Sequence, residues 1–250
     1  MDTIKITTLA SDSELEKRKK FLELYKECPI PENEILCNIG LFEKRQEITK
    51  QLFLNEIYKK IVNVHGVIIE FGVRWGQNLV TLNNLRAIYE PYNYNRKIIG
   101  FDTFDGFPVV ATEDGRNEII KAGAFSVTKD YDAFLEEVLN YHESECPMSH
   151  IKKNYIVKGD ATVEFEKYLN DNPETIVAFA YFDFDIYTPT KKCLELLKQH
   201  LTKGSVIGFD ELNDHKFPGE TLALKEAFGL GRYKIQRNMF SCMQSFLIIE

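Results

Sequence analysis

Acidic residues close one apolar run after another along this chain, with the spacing of ligand-binding turns. The first block is Val67-Ile68-Ile69-Glu70-Phe71-Gly72-Val73-Arg74-Trp75-Gly76-Gln77-Asn78. A short strand runs into a carboxylate, two glycines and a helix start. Glycine at the turn lets the backbone approach a ligand, because no Cβ intervenes. The pattern is acidic-x-Gly-x-x-x-Gly, not the Gly-x-Gly-x-x-Gly of dinucleotide sites. A pyrophosphate seeks a helix N-terminus without a neighbouring carboxylate, so Glu70 would repel it. A cofactor with a cationic amino-acid end, such as S-adenosylmethionine, would be attracted.

The next block is Gly100-Phe101-Asp102-Thr103-Phe104. A carboxylate at that strand end can accept both hydroxyls of a ribose; otherwise it caps a turn. In Val157-Lys158-Gly159-Asp160-Ala161, Asp160 reads equally as an acceptor for an adenine amino group, with Gly159 giving the ring access, or as the N-cap of the following helix. Two further strand ends carry paired acids, Asp183-Phe184-Asp185 and Asp210-Glu211. Ligands of open α/β sheets sit at the carboxyl ends of strands, so neighbouring strands bring these carboxylates into one crevice. Such a cluster is costly unless protonated or neutralised by a cation. An all-oxygen donor set points to a hard ion, Mg²⁺. Separate capping carboxylates that never meet are the plainer alternative. His215, in the loop Asn213-Asp214-His215-Lys216, is either a base for an acceptor hydroxyl or a solvated loop residue.

The elements that must position these residues alternate. Apolar runs at Val67–Phe71, Lys97–Phe101, Tyr155–Lys158, Val177–Phe182 and Ser205–Phe209 read as strands. Helical patterns fall at Asn78–Tyr89, Asp130–Tyr141, Thr162–Leu169, Thr190–Leu201 and Glu220–Phe228. Strands separated by helices imply a parallel sheet covered on both faces. Tyr233–Arg237 and Ser245–Ile249 lack an intervening helix and read as an antiparallel pair at the sheet edge. The connection from Asp102 to Thr128 is longer than ordinary loops, which marks it as functional or mobile. Residues 1–65 read as a helical extension preceding a domain over 66–250. Within it, Ser11 opens one helix, Pro29 and Pro31 break it, and Phe42–Val64 carries a second apolar stripe that packs on the core or on another subunit.

Composition limits the function classes. The chain has 250 residues and a net charge of −7, an acidic balance that argues against nucleic acid as partner. Its cysteines, Cys28, Cys37, Cys146, Cys193 and Cys242, are dispersed without a C-x-x-C pair, as in reduced cytosolic proteins. Met1 to Leu9 has no signal-peptide layout, and no apolar run approaches the ~18 residues of a membrane span. The expectation is a soluble, cytoplasmic protein that engages no membrane.

Together these blocks resemble the macrocin O-methyltransferase-like family of class I methyltransferases, and within it the TDP-hexose 3-O-methyltransferases of antibiotic sugar pathways. The resemblance runs from about Phe53 to Glu226. Besides the blocks above it is carried by Glu90-Pro91-Tyr92-Asn93, Ile186-Tyr187-Thr188-Pro189-Thr190 and Pro218-Gly219-Glu220. It implies an α/β Rossmann-like, doubly wound sheet of seven mostly parallel strands with the last reversed, S-adenosylmethionine as methyl donor, and a divalent cation. Carried over to this sequence, Glu70, Gly72, Arg74, Trp75, Asn78, Asp102, Thr103, Asp160, Ala161 and Asp183 would hold the cofactor. Asp183, Asp210 and Glu211 would hold the metal, although related enzymes often have two aspartates or Asp-Asn where this chain has Asp210-Glu211. The implied reaction is Mg²⁺-assisted methyl transfer to a sugar hydroxyl, on a nucleotide-activated deoxyhexose or related glycan precursor, with Asp185 or His215 as base. A nitrogen or phosphoramidate acceptor is an alternative, as is a non-catalytic scaffold on the same fold. An iron-dependent hydroxylase would want two histidines and a carboxylate, and no suitable pair is visible among His65, His142, His150, His200 and His215. The helical extension implies a homo-oligomer.

Overall fold

The structure is a computed structural model that describes residues 10–250; the expectation for Met1 to Leu9 lies outside them. The strands are β1 (Val67–Phe71), β2 (Ile98–Asp102), β3 (Asn154–Lys158), β4 (Val177–Phe182), β5 (Leu201–Phe209), β6 (Gln236–Arg237) and β7 (Ser245–Ile248). They form one sheet in the order β3-β2-β1-β4-β5-β7-β6. The first five pair in parallel, and β7 runs antiparallel to both β5 and β6. This is the seven-stranded Rossmann-like arrangement with a reversed strand. The order reverses beside β1, so a crevice opens between the carboxyl ends of β1 and β4.

The helices are α1 (Asp12–Lys26), α2 (Glu32–Ile35), α3 (Arg45–Ile61), α4 (Gln77–Tyr89), α5 (Tyr131–Ser144), α6 (Ala161–Asp171), α7 (Tyr187–Leu197) and α8 (Gly219–Ala227). One face of the sheet buries Ile68, Ala178 and Val206 under Phe53 and Ile57 of α3, Leu82 of α4 and Leu139 of α5. The other buries Ile69, Phe71, Phe182 and Ile207 under Phe165 of α6, Leu194 of α7 and Leu224 of α8. Apolar residues on both faces of the central strands explain their unbroken hydrophobic runs.

α1 starts as expected, with Ser11 and Glu14 capping each other reciprocally. Neither α1 nor the 3₁₀ turn Leu36–Phe42 contains a buried residue. α3 is shorter than its apolar stripe, because Glu43 and Lys44 are extended. The helix expected over Thr190–Leu201 ends at Leu197, and β5 begins four residues before Ser205. There the register against β4 shifts, and Gly204 takes φ +90, which a side chain would resist. β6 is reduced to Gln236–Arg237. The Glu90-Pro91-Tyr92-Asn93 block is structural: Glu90 accepts from Tyr58 (2.7 Å), Asn93 (2.8 Å) and buried Arg96 (2.9 Å), and Arg96 reaches the carbonyls that end α3. Among the described residues, no helix is long and apolar enough to cross a membrane.

Candidate active site

Register places the acidic strand ends side by side. Phe71 pairs with Phe101 and with Phe182, and Phe182 pairs with Phe209. The residues that follow, Gly72, Asp102, Asp183 and Asp210, therefore leave the sheet along one rim. Their backbones are tied across it: Gly72 donates to Phe101, Asp183 to Phe71 and Asp210 to Phe182.

Gly72 has φ +87, and a Cβ there would drive into the Asp183 carbonyl. The second glycine of the motif works differently. Gly76, φ +77, is the N-cap of α4, and a Cβ would collide with the Leu135 methyls of α5. Glu70 lies fully buried beneath the turn; one oxygen accepts from Asn78 Nδ2 at 2.7 Å, and Oε2 has no partner. Burial drives its pKa well above the carboxylate range, against the Asn78 hydrogen bond, with Asp183 adding to the rise. An unpartnered buried carboxylate oxygen is what an ammonium ligand would complete.

Asp102 does more than the sequence suggests. Its Oδ2 accepts from the backbone amides of Val73 and Arg74, both at 2.7 Å, and Oδ1 accepts from Phe104 at 2.6 Å. The carboxylate holds the glycine turn in shape, with lone pairs left over for a ribose. Asp160 accepts from the amide and hydroxyl of Thr162 at 2.9 and 2.7 Å, so the N-cap reading is realised for one of its oxygens. Thr103 bonds the Gly106 carbonyl at 2.7 Å. Gly72, Asp102, Thr103, Asp160, Ala161 and Asp183 together line a cleft of about 60 Å³, closed over by Phe107 and Phe125 of the long loop. Ligand sites commonly run to several hundred Å³, so the cleft is narrower than a nucleoside site. Arg74 reaches toward the same loop, its guanidinium 5.0 Å from the Phe125 ring centroid. Trp75 faces elsewhere: half exposed, it stands edge-on to Tyr131 and lines a groove of about 610 Å³ between α3, α4 and α5.

Beside the cleft lies the acidic cluster. Lys50, on α3, places Nζ 3.1 Å from Asp183 Oδ2 and 3.3 Å from Asp210 Oδ1. Asp210 also accepts from Tyr181 at 2.5 Å and Gln244 at 3.0 Å. Burial would raise the Asp210 pKa, but Lys50 and these donors hold it low. Burial and Asp210 push Asp183 up to about 6 despite Lys50. Burial and the charges of Asp210 and Glu220 push Glu211 up to about 9. Asp185, in left-handed backbone at φ +62, is driven well above the carboxylate range by burial and then Glu211. Glu220 is fully buried and accepts from the Glu211 amide at 3.3 Å. Glu211 Oε2 and Glu220 Oε1 are buried without a partner. His215, by contrast, is exposed and pairs with Asp214 at 3.6 Å, with no hydrogen bond to the cluster.

Two site residues escaped the sequence reading. Lys50 stands at the head of the stripe Lys50, Phe53, Leu54, Ile57, Tyr58, Ile61, a lysine at a core-facing helical position. Asp114, fully buried in the long loop, accepts from the amides of Ala111 (2.8 Å) and Tyr187 (2.6 Å), which pins the loop to the N-terminus of α7.

No protein-family model and no curated protein matches the chain. Solved structures do. The crystal structure of CalS11, a calicheamicin methyltransferase, superposes with a TM-score of 0.93 at 38% identity, over 99% of this chain and 97% of that one. The apo structure of CalS11, there described as a TDP-rhamnose 3'-O-methyltransferase, gives 0.85 at 35% identity, over 99% of both chains. The chain belongs to the macrocin O-methyltransferase-like family of class I methyltransferases. It is thus an S-adenosylmethionine-dependent O-methyltransferase. The O-methyltransferase NovP, at 15% identity and a TM-score of 0.59 over 81% of this chain and 80% of that one, shares the fold.

As for a metal in this methyltransferase, no group of three His, Cys, Asp or Glu side chains among the described residues is arranged to hold an ion. The positive charge among these carboxylates is that of Lys50, which Asp183 and Asp210 share, while one oxygen each of Glu211 and Glu220 is buried without a partner.

Proposed function

We propose that the protein methylates a sugar hydroxyl, on a nucleotide-activated deoxyhexose or a related glycan precursor. The observation that carries this reading is the shared rim: the glycine turn with its unpartnered Glu70 oxygen stands beside the Asp183–Asp210–Glu211 cluster. The acceptor named for CalS11, TDP-rhamnose, supports it.

S-adenosylmethionine supplies an activated sulfonium methyl. Glu70, with its unpartnered oxygen, would take the cofactor's ammonium group, Gly72 would let the backbone close on it, and Asp102 and Asp160, in the lining of the cleft, would meet the ribose and adenine. Arg74 stays against Phe125 of the long loop. Asp183, Asp210 and Glu211 are the carboxylates that would hold a divalent cation, were one to bind, and such an ion would supply Lewis-acid activation of an acceptor hydroxyl. Asp185, once ionised, is the carboxylate of this cluster that would accept the proton of an acceptor hydroxyl as its oxygen takes the methyl group. Its raised pKa suits a base better than an ordinary aspartate, and it lies in the cluster where His215 does not. Positioning does most of the remaining work.

We assign residues 1–65 to an extension and 66–250 to the catalytic domain. The unburied apolar side chains of the extension, among them Leu22, Leu24, Leu36 and Leu41, support a homo-oligomer. The unpaired cysteines support a reducing, cytoplasmic setting. A panel of nucleotide-sugars incubated with methyl-labelled S-adenosylmethionine tests the reaction. Transfer of label to a sugar carbon-bound oxygen is expected; label on nitrogen, or on no sugar, refutes it. Turnover undiminished by EDTA removes the cation from the reading and leaves methyl transfer intact.

A further inference from the structure

Three depressions surround the glycine turn, and their charges differ. The cofactor cleft is lined by Asp102, Asp160 and Asp183. The groove beside Trp75 has no charged residue in its lining. A third groove, of about 990 Å³, lies between α1, the 3₁₀ turn Leu36–Phe42 and the start of α3, and Lys17, Arg18, Lys44 and Arg45 line it. In a chain of net charge −7 this is a concentration of positive charge. One acid lines it, Glu43, and Gln51 Nε2 donates to that carboxylate. Among the described residues, Lys17, Arg18 and Arg45 form no ion pair within 4 Å, and Lys44 pairs only with Glu47, at 3.6 Å on the surface. Glu14 lies within electrostatic reach of Lys17 and Arg18 but is folded back on Ser11 by the capping box.

The backbone adds to the attraction. Lys44, Arg45 and Gln46 open α3 inside the groove, and no side chain caps that end. A helix start of this kind favours an anion, and the ammonium and guanidinium groups around it suit phosphate oxygens. Two rings stand in the same lining. Tyr25 and Phe42 meet edge to face at 5.0 Å, and Tyr25 is nearly half exposed. An exposed aromatic face stacks with a nucleobase. The groove also reaches the rim: Gln51 and Gln77 line it, the first next to Lys50 and the second next to Gly76 of the turn. Arg45 precedes Lys50 by five residues, roughly 7.5 Å along a helix, a span that a hexose with its first phosphate covers.

We propose that this groove is a nucleoside diphosphate subsite. Lys44, Arg45 and the open end of α3 take the phosphates, Lys17 and Arg18 flank them, and the base lies against Tyr25 and Phe42. The proposal rests on the nucleotide-sugar acceptor proposed above and gives its nucleotide half a place. It also accounts for α1, which buries none of its own residues: the helix is one wall of the subsite.

The test is thymidine diphosphate binding to the full chain by calorimetry, in wild type and in the double variant Lys44→Gln, Arg45→Gln. Both side chains are exposed, so their exchange leaves the packing alone, and S-adenosylhomocysteine titrated into both chains controls for the fold. The variant is expected to bind the nucleotide about tenfold more weakly, the scale of two exposed ionic contacts, with S-adenosylhomocysteine unchanged. Equal nucleotide affinity overturns the subsite and leaves the nucleotide-sugar reading standing. No nucleotide bound by a wild type that binds S-adenosylhomocysteine overturns the subsite and the nucleotide half of that reading together; label transfer to a sugar without a nucleotide still reports on methylation. Tyr25→Ala is expected to weaken thymidine diphosphate severalfold and inorganic pyrophosphate not at all, and an unmoved nucleotide affinity overturns the place given to the base. In wild type, acetylation of Lys44, read by mass spectrometry against Lys59, should fall severalfold with thymidine diphosphate. Protection that follows protein concentration instead assigns the groove to a second copy of the chain and overturns the proposal.

Discussion

Exchanging Glu70 for glutamine separates the two jobs a buried carboxylate can do. Glu70 Oε1 accepts from Asn78 Nδ2 at 2.7 Å, and Oε2 has no partner. In Glu70→Gln the amide oxygen keeps the Asn78 bond, so the α4 N-terminus keeps its anchor. The negative charge aimed at the cofactor is lost. A hydrogen bond to a charged group contributes about 1.5–3 kcal/mol, so S-adenosylhomocysteine should bind roughly ten- to a hundredfold more weakly. Stability should move the other way. Burial raises the folded-state pKa of Glu70 above its unfolded value. Its favourable contribution is complete below the unfolded pKa and is lost as pH rises through the folded one. Wild type without ligand should therefore lose ground to the variant as pH rises, and the variant should melt at an equal or higher temperature near neutrality. Calorimetric titration with S-adenosylhomocysteine and thermal melts across pH read both effects. Unchanged affinity in a folded variant refutes the assignment of Glu70 to the cofactor's ammonium.

Other perturbations probe the frame. Gly72→Ala combines φ +87 with a collision against the Asp183 carbonyl, and backbone strain of that kind costs about 1–3 kcal/mol before the clash is counted; a melting temperature within error of wild type contradicts the geometry of the turn. Asp114→Ala strands the amides of Ala111 and Tyr187, at about 1–3 kcal/mol for each donor left buried, and limited proteolysis between Asp102 and Thr128 should accelerate. In EDTA, the acidic cluster should make the enzyme less stable as pH climbs, because Asp183 near 6 and Glu211 near 9 are both raised by folding and their contribution fades through those values. Glu211→Gln should flatten the upper part of that decline in a thermal scan.

The sheet was readable because Val67–Phe71 and Val177–Phe182 are apolar on both faces, which only a covered parallel strand tolerates. β5 was cut short because Leu201-Thr202-Lys203-Gly204 lacks that signature; it pairs through a register shift that pattern reading does not see. In the site, residue types were legible and partners were not. A carboxylate at a strand end announces a ligand, but only the folded backbone shows that Asp102 spends three acceptor positions on Val73, Arg74 and Phe104. Likewise the sequence demanded a counter-ion for Asp183 and Asp210 without revealing Lys50, more than a hundred residues away in the chain. His215 looked like a base because it follows the acidic pair in sequence, yet the loop turns it out to solvent.

Charge also constrains how the proposed nucleotide-sugar acceptor would lie. Its diphosphate is anionic, and a unit charge about 4 Å from a carboxylate is repelled by about 4 kcal/mol under the screening typical near a protein surface. Burial holds Asp185 and Glu211 toward the neutral acid and Lys50 pairs with Asp183 and Asp210, so the repulsion a phosphate meets at the rim comes chiefly from Asp183 and Asp210 and grows as pH rises. Neutral hydroxyls meet none. The sugar ring must therefore enter first, with the diphosphate directed away from the rim. A free deoxyhexose should then compete weakly for the site, while a nucleoside diphosphate lacking the sugar should bind away from the carboxylates. If the bare diphosphate instead binds at the carboxylates, read by its effect on the titration of the cluster, the orientation argued here is wrong, and the methyl acceptor lies at the other end of the substrate.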